Sequence, residues 1–313
     1  MKKIVISLLI IIVAFTAKAQ RHHEIGILGG VDYYMGDLAP TNVFRMPGYN
    51  FGIIYRYSIN PRIALRVLGH YGYLQGDSKL NTPNLQYKNL DFHTALVEFE
   101  MGIEINFLEY IAGSDKHRFT PFVFAGVSVF HFNPKTWYMG KEYELQPLGT
   151  EGQGLTAYPD RKPYALTSIA IPFGFGIKWS VSQTVSIGLE WGLRKTFTDY
   201  LDDVSTTYPD PALLSAEKSP LAAVLSDRQY EQAAIANGLD ISMDPNGQPH
   251  NPTDYKTYLQ DYLMKSTGAQ RGGEAKDWFS VAGITVVFKI KGPRQKSCPA
   301  YQKHSKYKEY LLF

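Results

Sequence analysis

Residues 97–107 read VEFEMGIEINF, and their alternation decides the fold class. Val97, Phe99, Met101, Ile103, Ile105 and Phe107 are apolar, while Glu98, Glu100, Gly102, Glu104 and Asn106 between them are charged, small or polar. A period of two puts successive side chains on opposite faces of a strand. One continuously apolar face backed by glutamates suits a wall with lipid on one side and a narrow polar lumen on the other.

The same alternation runs outward in both directions. Tyr49, Phe51, Ile53, Tyr55 and Tyr57 alternate with Asn50, Gly52, Ile54, Arg56 and Ser58. After a turn at Asn60-Pro61, Ile63, Leu65, Val67, Tyr71 and Tyr73 alternate with Ala64, Arg66, Leu68, His70 and Gly72. Downstream, Ile169 to Trp179 and Val185 to Leu193 repeat the scheme on either side of Ser182-Gln183. Weaker strands read at 24–36, 119–132 and 278–290. In the middle one, Phe122, Phe124 and Phe130 compete with Val123, Val127 and Val129 for the lipid face. The fold class is therefore all-β: an eight-stranded antiparallel transmembrane β-barrel. Its connections alternate in length, with short turns on one rim and long loops at 37–47, 76–91, 133–163 and 198–277 on the other. The last loop is too long to be structureless, and Pro211 to Leu239 reads as one or two helices.

Lys2 and Lys3, an apolar run from Ile4 to Phe15 whose single polar residue is Ser7, and Ala17-Lys18-Ala19 form a secretory signal peptide over residues 1–19. The barrel then spans 20–290 and a basic tail 291–313, which puts the protein in an outer membrane with both mature termini in the periplasm. Tyr at 22, Phe at 17 and Gly at 27 fit a barrel with aromatic girdles. A net charge of +3 gives no reason to expect nucleic acid. The lone Cys298 excludes an internal disulfide framework.

Parity sends Arg56, Arg66, Lys178, Arg194 and Lys289 into the lumen with Glu98, Glu100, Glu104 and Glu190. Charges in a narrow interior must pair, so these residues read as a structural network that plugs the barrel rather than an ion path or a porin channel. Arg56 and Arg66 fall opposite one another, and Glu100 or Glu104 is expected between them. Other constellations are weaker. His22, His23 and Glu24 read as a solvated end rather than a metal site. Asp240, Asp244, Asn246 and Gly247 lack calcium-loop spacing and read as a turn. Asp199, Asp202 and Asp203 read as a solvated acidic loop. His70 and His131 show no nucleophile and orienting acid at a shared depth. No catalytic, cofactor or metal residues are assigned.

Four stretches carry a family likeness: YMGDLAP at 34–40, RFTPFVFAGVSVFHFNP at 118–134, LQPLGTEGQG at 145–154 and RKTFTDYLDDVS at 194–205. With the strand pattern they resemble the PorG family, outer-membrane barrels of the type IX secretion system of Bacteroidetes-type bacteria. The resemblance implies a non-enzymatic component that ties the periplasmic ring of PorK and PorN to the outer membrane, in contact with lipid and lipopolysaccharide and without a cofactor. Partner contacts are then expected on the short turns: Asn60, Pro61, Arg62, Ser114, Asp115, Lys116, Ser182, Gln183 and the tail. The alternative is a general small barrel serving envelope structure or small-ligand binding.

Overall fold

The computed structural model describes residues 22–39, 44–80, 82–273 and 275–290. The signal peptide, the tail and Cys298 lie outside the described residues. The barrel strands are β1 (His22–Met35), β2 (Gly48–Asn60), β3 (Ile63–Asp77), β4 (Asp91–Asn106), β5 (Phe119–Phe132), β8 (Thr167–Ser180), β9 (Val185–Thr196) and β10 (Trp278–Ile290). Each is antiparallel to its neighbours in the order β3-β2-β1-β10-β9-β8-β5-β4, and pairing of β3 with β4 closes the ring. Closure leaves no barrel edge with unpaired backbone groups, which a lipid environment requires.

The outer wall is apolar. Val97, Phe99, Met101, Ile103 and Ile105 are each at least 50% exposed, as are Ile53, Ile169, Phe175 and Ile284. Phe107 and Trp179 stand at the short-turn rim. Tyr49 and Tyr73 stack at 5.5 Å towards the long-loop rim. Charges sit inside and hydrocarbon outside, the inverse of a water-soluble domain. That distribution is stable only when the outer solvent is lipid.

Strand β5 resolves its ambiguity in favour of the valines outside. Val127 and Val129 are exposed, whereas Phe122, Phe124, Phe130 and Phe132 are buried. The reason lies in the interior. The Arg66 guanidinium lies 3.9 Å from the Phe124 ring and that of Arg56 5.7 Å from Phe122. Glycines opposite make room, since a Cβ on Gly192 or Gly176 would meet the Phe124 or Phe122 ring at 2.6 Å.

The long loops fold into a cap over one mouth. The β5–β8 connection forms a hairpin, β6 (Lys135–Tyr138) and β7 (Lys141–Glu144), which the sequence reading missed. Its tight turn has positive φ at Met139 (48°) and Gly140 (79°), the geometry of a two-residue hairpin turn. A helical turn, α1 (Pro83–Gln86), lies in the β3–β4 loop. Loop 198–277 carries α2 (Pro211–Glu217), α3 (Pro220–Ser226), α4 (Glu231–Ala236) and α5 (Pro252–Asp261); the first three fall within Pro211 to Leu239, where one or two were expected. Asp210, Ser219 and Asn251 cap the first, second and last of these through their side chains, and Pro follows each cap. Tyr138, Leu225, Ile241, Tyr258 and Leu263 give the cap its own core.

A lysine at Met101, near the middle of the exposed belt, should destabilise the barrel by about 2–4 kcal/mol. Urea unfolding in lipid vesicles checks this. Wild-type stability of Met101→Lys would mean that this face does not meet hydrocarbon.

Candidate functional site

The interior charges form one continuous chain of alternating sign. Lys178 contacts Glu104, and Glu104 takes the Arg56 Nε at 2.9 Å. Arg56 Nη2 reaches Glu190 Oε2 at 3.0 Å, and Arg66 Nη2 reaches Glu190 Oε1 at 2.8 Å. Arg66 Nε lies 2.9 Å from Glu100, which Arg194 Nη2 also meets at 2.9 Å. Arg194 Nε lies 3.4 Å from Glu98. His70 follows, with Nδ1 3.2 Å from Glu98 and Nε2 2.9 Å from Asp32. Asn50 ends the chain, donating to Asp32 at 2.6 Å. The side chains of Arg56, Arg66, Glu98, Glu100, Glu104, Lys178, Glu190 and Arg194 are all buried. Lys289 points to the short-turn mouth, where Nζ donates to the Ala112 carbonyl at 2.6 Å.

Two expectations need correction. Arg56 and Arg66 are cross-strand partners, but the group between them is Glu190, arriving from β9 across the lumen. Glu104 and Glu100 flank the pair instead. Parity fixes the face of a residue, but the stagger of the strands fixes its depth. His70, set aside for want of an acid partner, has two. The ladder puts His70 opposite Gly52 and Gly52 opposite Leu28, four residues from Asp32 on β1, so the stagger of the tilted strands is what brings Asp32 to it.

Both mouths are shut. The 107–118 turn folds inward, with Tyr110 and Ala112 buried at 1% exposure. Tyr110 donates to Ser186 at 2.7 Å and lies 4.5 Å beneath the Lys178 ammonium. At the other end Leu38, Leu90, Phe92, Leu145, Leu201 and Val204 complete an apolar layer above Leu28, Ile54 and Leu68. The cavity at that junction, lined by Leu38, Leu145, Leu225, Arg228 and Arg271 among others, has a volume of about 10 Å³, room for about one water.

The three loop motifs on the long-loop rim meet in one polar knot beneath the cap. Tyr34 donates to Asp202 at 2.5 Å, and its hydroxyl oxygen lies 3.2 Å from Asp277 Oδ1. Thr150 and Tyr164 donate to Asp203 at 2.5 and 2.7 Å. Glu151 accepts from the backbone amides of Ser205 and Thr206 and lies 3.2 Å from Arg271 Nη1. Asp37 accepts from the Gly273 amide at 2.6 Å. The acidic cluster expected to be solvated is therefore buried: Asp199, Asp202 and Asp203 are 6%, 1% and 0% exposed. Sequence pattern could not show this, because the partners Arg271 and Tyr164 are remote in the chain. His22 and Glu24, expected at a solvated end, are likewise buried within β1. The calcium-like stretch is a turn, with Asp244 accepting from the Asn246 and Gln248 amides.

The short turns present the expected partner-facing residues. Arg62, Asp115, Lys116, Ser182 and Gln183 are exposed, and Asn60, Pro61 and Ser114 are half-buried. Asn60 and Ser114 fix their turns by accepting from backbone amides two and three residues on.

A family described as a domain of unknown function (DUF6089) matches residues 2–214, more than half of the 313-residue chain. No curated protein matches it. Among solved structures, neisserial surface protein A (NspA) is similar at 9% identity and TM-score 0.37, covering 86% of this chain and 97% of its own. Ail, the attachment invasion locus protein of Yersinia pestis, is similar at 7% identity and TM-score 0.36, again over 86% and 97%. The N-terminal barrel of Pseudomonas aeruginosa OprF is similar at 9% identity and TM-score 0.32, over 87% and 100%.

Two predictions follow from the buried charges. Glu190→Gln removes the charge that Arg56 and Arg66 share and should destabilise the barrel by about 3–5 kcal/mol, the scale of a broken buried pair. Urea unfolding of the refolded protein reads this, and a loss below about 1 kcal/mol would contradict the shared pairing. The second concerns the cap. Burial, only partly offset by Arg271, pushes the Asp203 carboxyl up to about 6 from 3.8. The folded cap thus holds a proton that the unfolded chain releases, so this contribution is complete below about pH 4 and lost as pH rises through about 6. Opening free energies of the 198–277 loop, from hydrogen exchange corrected for its intrinsic pH dependence, should be larger at about pH 4.5 than at about pH 7.5. Asp203→Asn should reduce that difference without abolishing it, because burial also raises Asp202, Asp227 and Asp277.

Proposed function

We propose that this chain, which belongs to the family described as a domain of unknown function (DUF6089), is a non-enzymatic outer-membrane component of the type IX secretion machinery that ties the PorK/PorN ring to the membrane. The observation that carries this reading is the closure of the lumen. With Tyr110 across one mouth and the loop cap across the other, transport or ligand capture through the middle has no room, and the rims are left to act. Further support comes from the residues behind the family likeness. Tyr34, Asp37, Thr150, Glu151, Asp202 and Asp203 all bond within the cap. The motifs on the long-loop rim therefore have a packing role, which leaves the short turns for partners. Outer-membrane placement rests on the apolar belt and the signal-peptide pattern, and it sets the short turns in the periplasm.

Arg62 and Lys116 are the exposed cations of that rim best placed to meet an acidic partner surface. In affinity purification from native membranes the wild-type barrel should bring down PorK and PorN. The charge reversal Arg62→Glu with Lys116→Glu should cut their recovery by roughly tenfold while the barrel keeps its heat-resistant gel migration. Recovery of the barrel free of ring proteins, with normal secretion in its absence, would overturn the reading in favour of a general envelope barrel.

A further inference from the structure

The outer wall carries a cavity of about 320 Å³ at the long-loop rim, between the start of β8, the end of β9 and the residues leading into β10. The strand ladder continues up to its floor, since Phe197 N donates to the Ile169 carbonyl and Asp277 N to that of Thr198. Ile169 and Phe197 are 57% and 53% exposed, so the apolar belt ends directly beneath it. The cavity therefore sits at the level where hydrocarbon gives way to headgroups.

Its wall mixes three kinds of group. Thr167, Ser168 and Thr198 bring hydroxyls, Tyr200 brings a ring, and Asp199 and Lys276 bring opposite charges. The ring is held rigidly, stacked on Tyr164 at 4.5 Å and 5°. Asp199 is 6% exposed; its Oδ2 accepts from the Ser205 hydroxyl at 2.6 Å, and its Oδ1 has no donor among the described residues. That oxygen has almost no exposed area, so Asp199 shapes the cavity floor and anchors Lys276 rather than meeting a ligand. The Lys276 ammonium lies 3.9 Å from Oδ2 on a side chain 53% exposed, loose enough to meet an anion as well. Lys195 adds a second exposed ammonium on the same outer face. It is the β9 partner of Trp278 and lies 5.8 Å from that ring.

We propose that this cavity binds the phosphorylated sugar headgroup of an outer-leaflet glycolipid. The two ammonium groups take the phosphate. The hydroxyls of Thr167 and Thr198 meet those of the sugar, and the C–H face of the sugar ring lies on Tyr200. Phosphatidylglycerol supplies the phosphate and two glycerol hydroxyls but no ring with a flat C–H face. The inference rests on the outer-membrane placement proposed above and not on a role in secretion.

The full-length barrel, refolded in nanodiscs of phosphatidylethanolamine and phosphatidylglycerol with rough lipopolysaccharide, tests it. Lipopolysaccharide retained after detergent extraction should fall by roughly tenfold for Lys195→Glu with Lys276→Glu. Phosphatidylglycerol retention should stay unchanged in the same variant. Lys276→Gln, altering one exposed side chain, guards against loss of folding, and heat-resistant migration reports the barrel in every variant. Equal lipopolysaccharide retention by wild type and variants would overturn the site. A parallel fall in phosphatidylglycerol would reduce it to general anion attraction and overturn the sugar assignment. Failure of the membrane placement would show separately, as a protein that does not fractionate with the outer membrane.

Discussion

Glu190 holds Arg56 and Arg66 side by side at the centre of the barrel. Two guanidinium groups on directly paired residues would repel strongly in a dry interior. One carboxylate reaching across the lumen gives an oxygen to each and turns the repulsion into a brace between opposite walls. Everything on either side is organised around that brace. Glu104 and Glu100 take the remaining faces of the arginines, Lys178 and Arg194 take the remaining oxygens of the glutamates, and the flat faces of the guanidinium groups lie on Phe122 and Phe124. The glycines at 174, 176 and 192 are the complement of those rings, because a side chain there would occupy the space the phenyl groups fill. A barrel of this width can be filled by its own side chains, and here ionised ones fill it. Glu100, Glu104 and Glu190 each touch two cations and Glu98 touches Arg194 and His70, so none of these four bears its desolvation alone.

A filled lumen moves function to the rims, and the two rims are built differently. The short-turn rim is tightly bonded yet polar and accessible. The long-loop rim is a folded cap with its own apolar core, tied to the barrel by a knot of carboxylates, hydroxyls and one buried arginine. Arg271 joins Glu151 to Asp203 from the far end of the last loop. Arg228 joins Asp91 and Glu231, pinning the helical part to the β3–β4 hairpin. The loop stretches that carry the family likeness are the ones that make this knot, so their sequence specificity has a structural cause that needs no bound partner.

In β2, β3, β4, β8 and β9 the face of each residue was legible from alternation alone, and every charge assigned to the lumen lies on the inner face. Depth was not legible, because it depends on strand stagger around the ring; Glu190 between the arginines and Asp32 beside His70 are both consequences of stagger. The orientation of β5 was undecided because both of its faces are hydrophobic. What breaks the tie is a pair of arginines on other strands. The β6–β7 hairpin was hidden because Met139 occupies a left-handed turn position usually marked by Asn or Gly. Burial of Asp202 and Asp203 was hidden because long-range partners, rather than local composition, decide whether a carboxylate can leave water.

Planar-bilayer recording of the purified full-length protein tests most directly whether the interior is closed by its own charges. At neutral pH a correctly folded barrel should show no steady conductance. A stable open pore under the same conditions would contradict it, because ions cannot pass a lumen occupied by Glu190 and its two arginines and shut by Tyr110 and the cap.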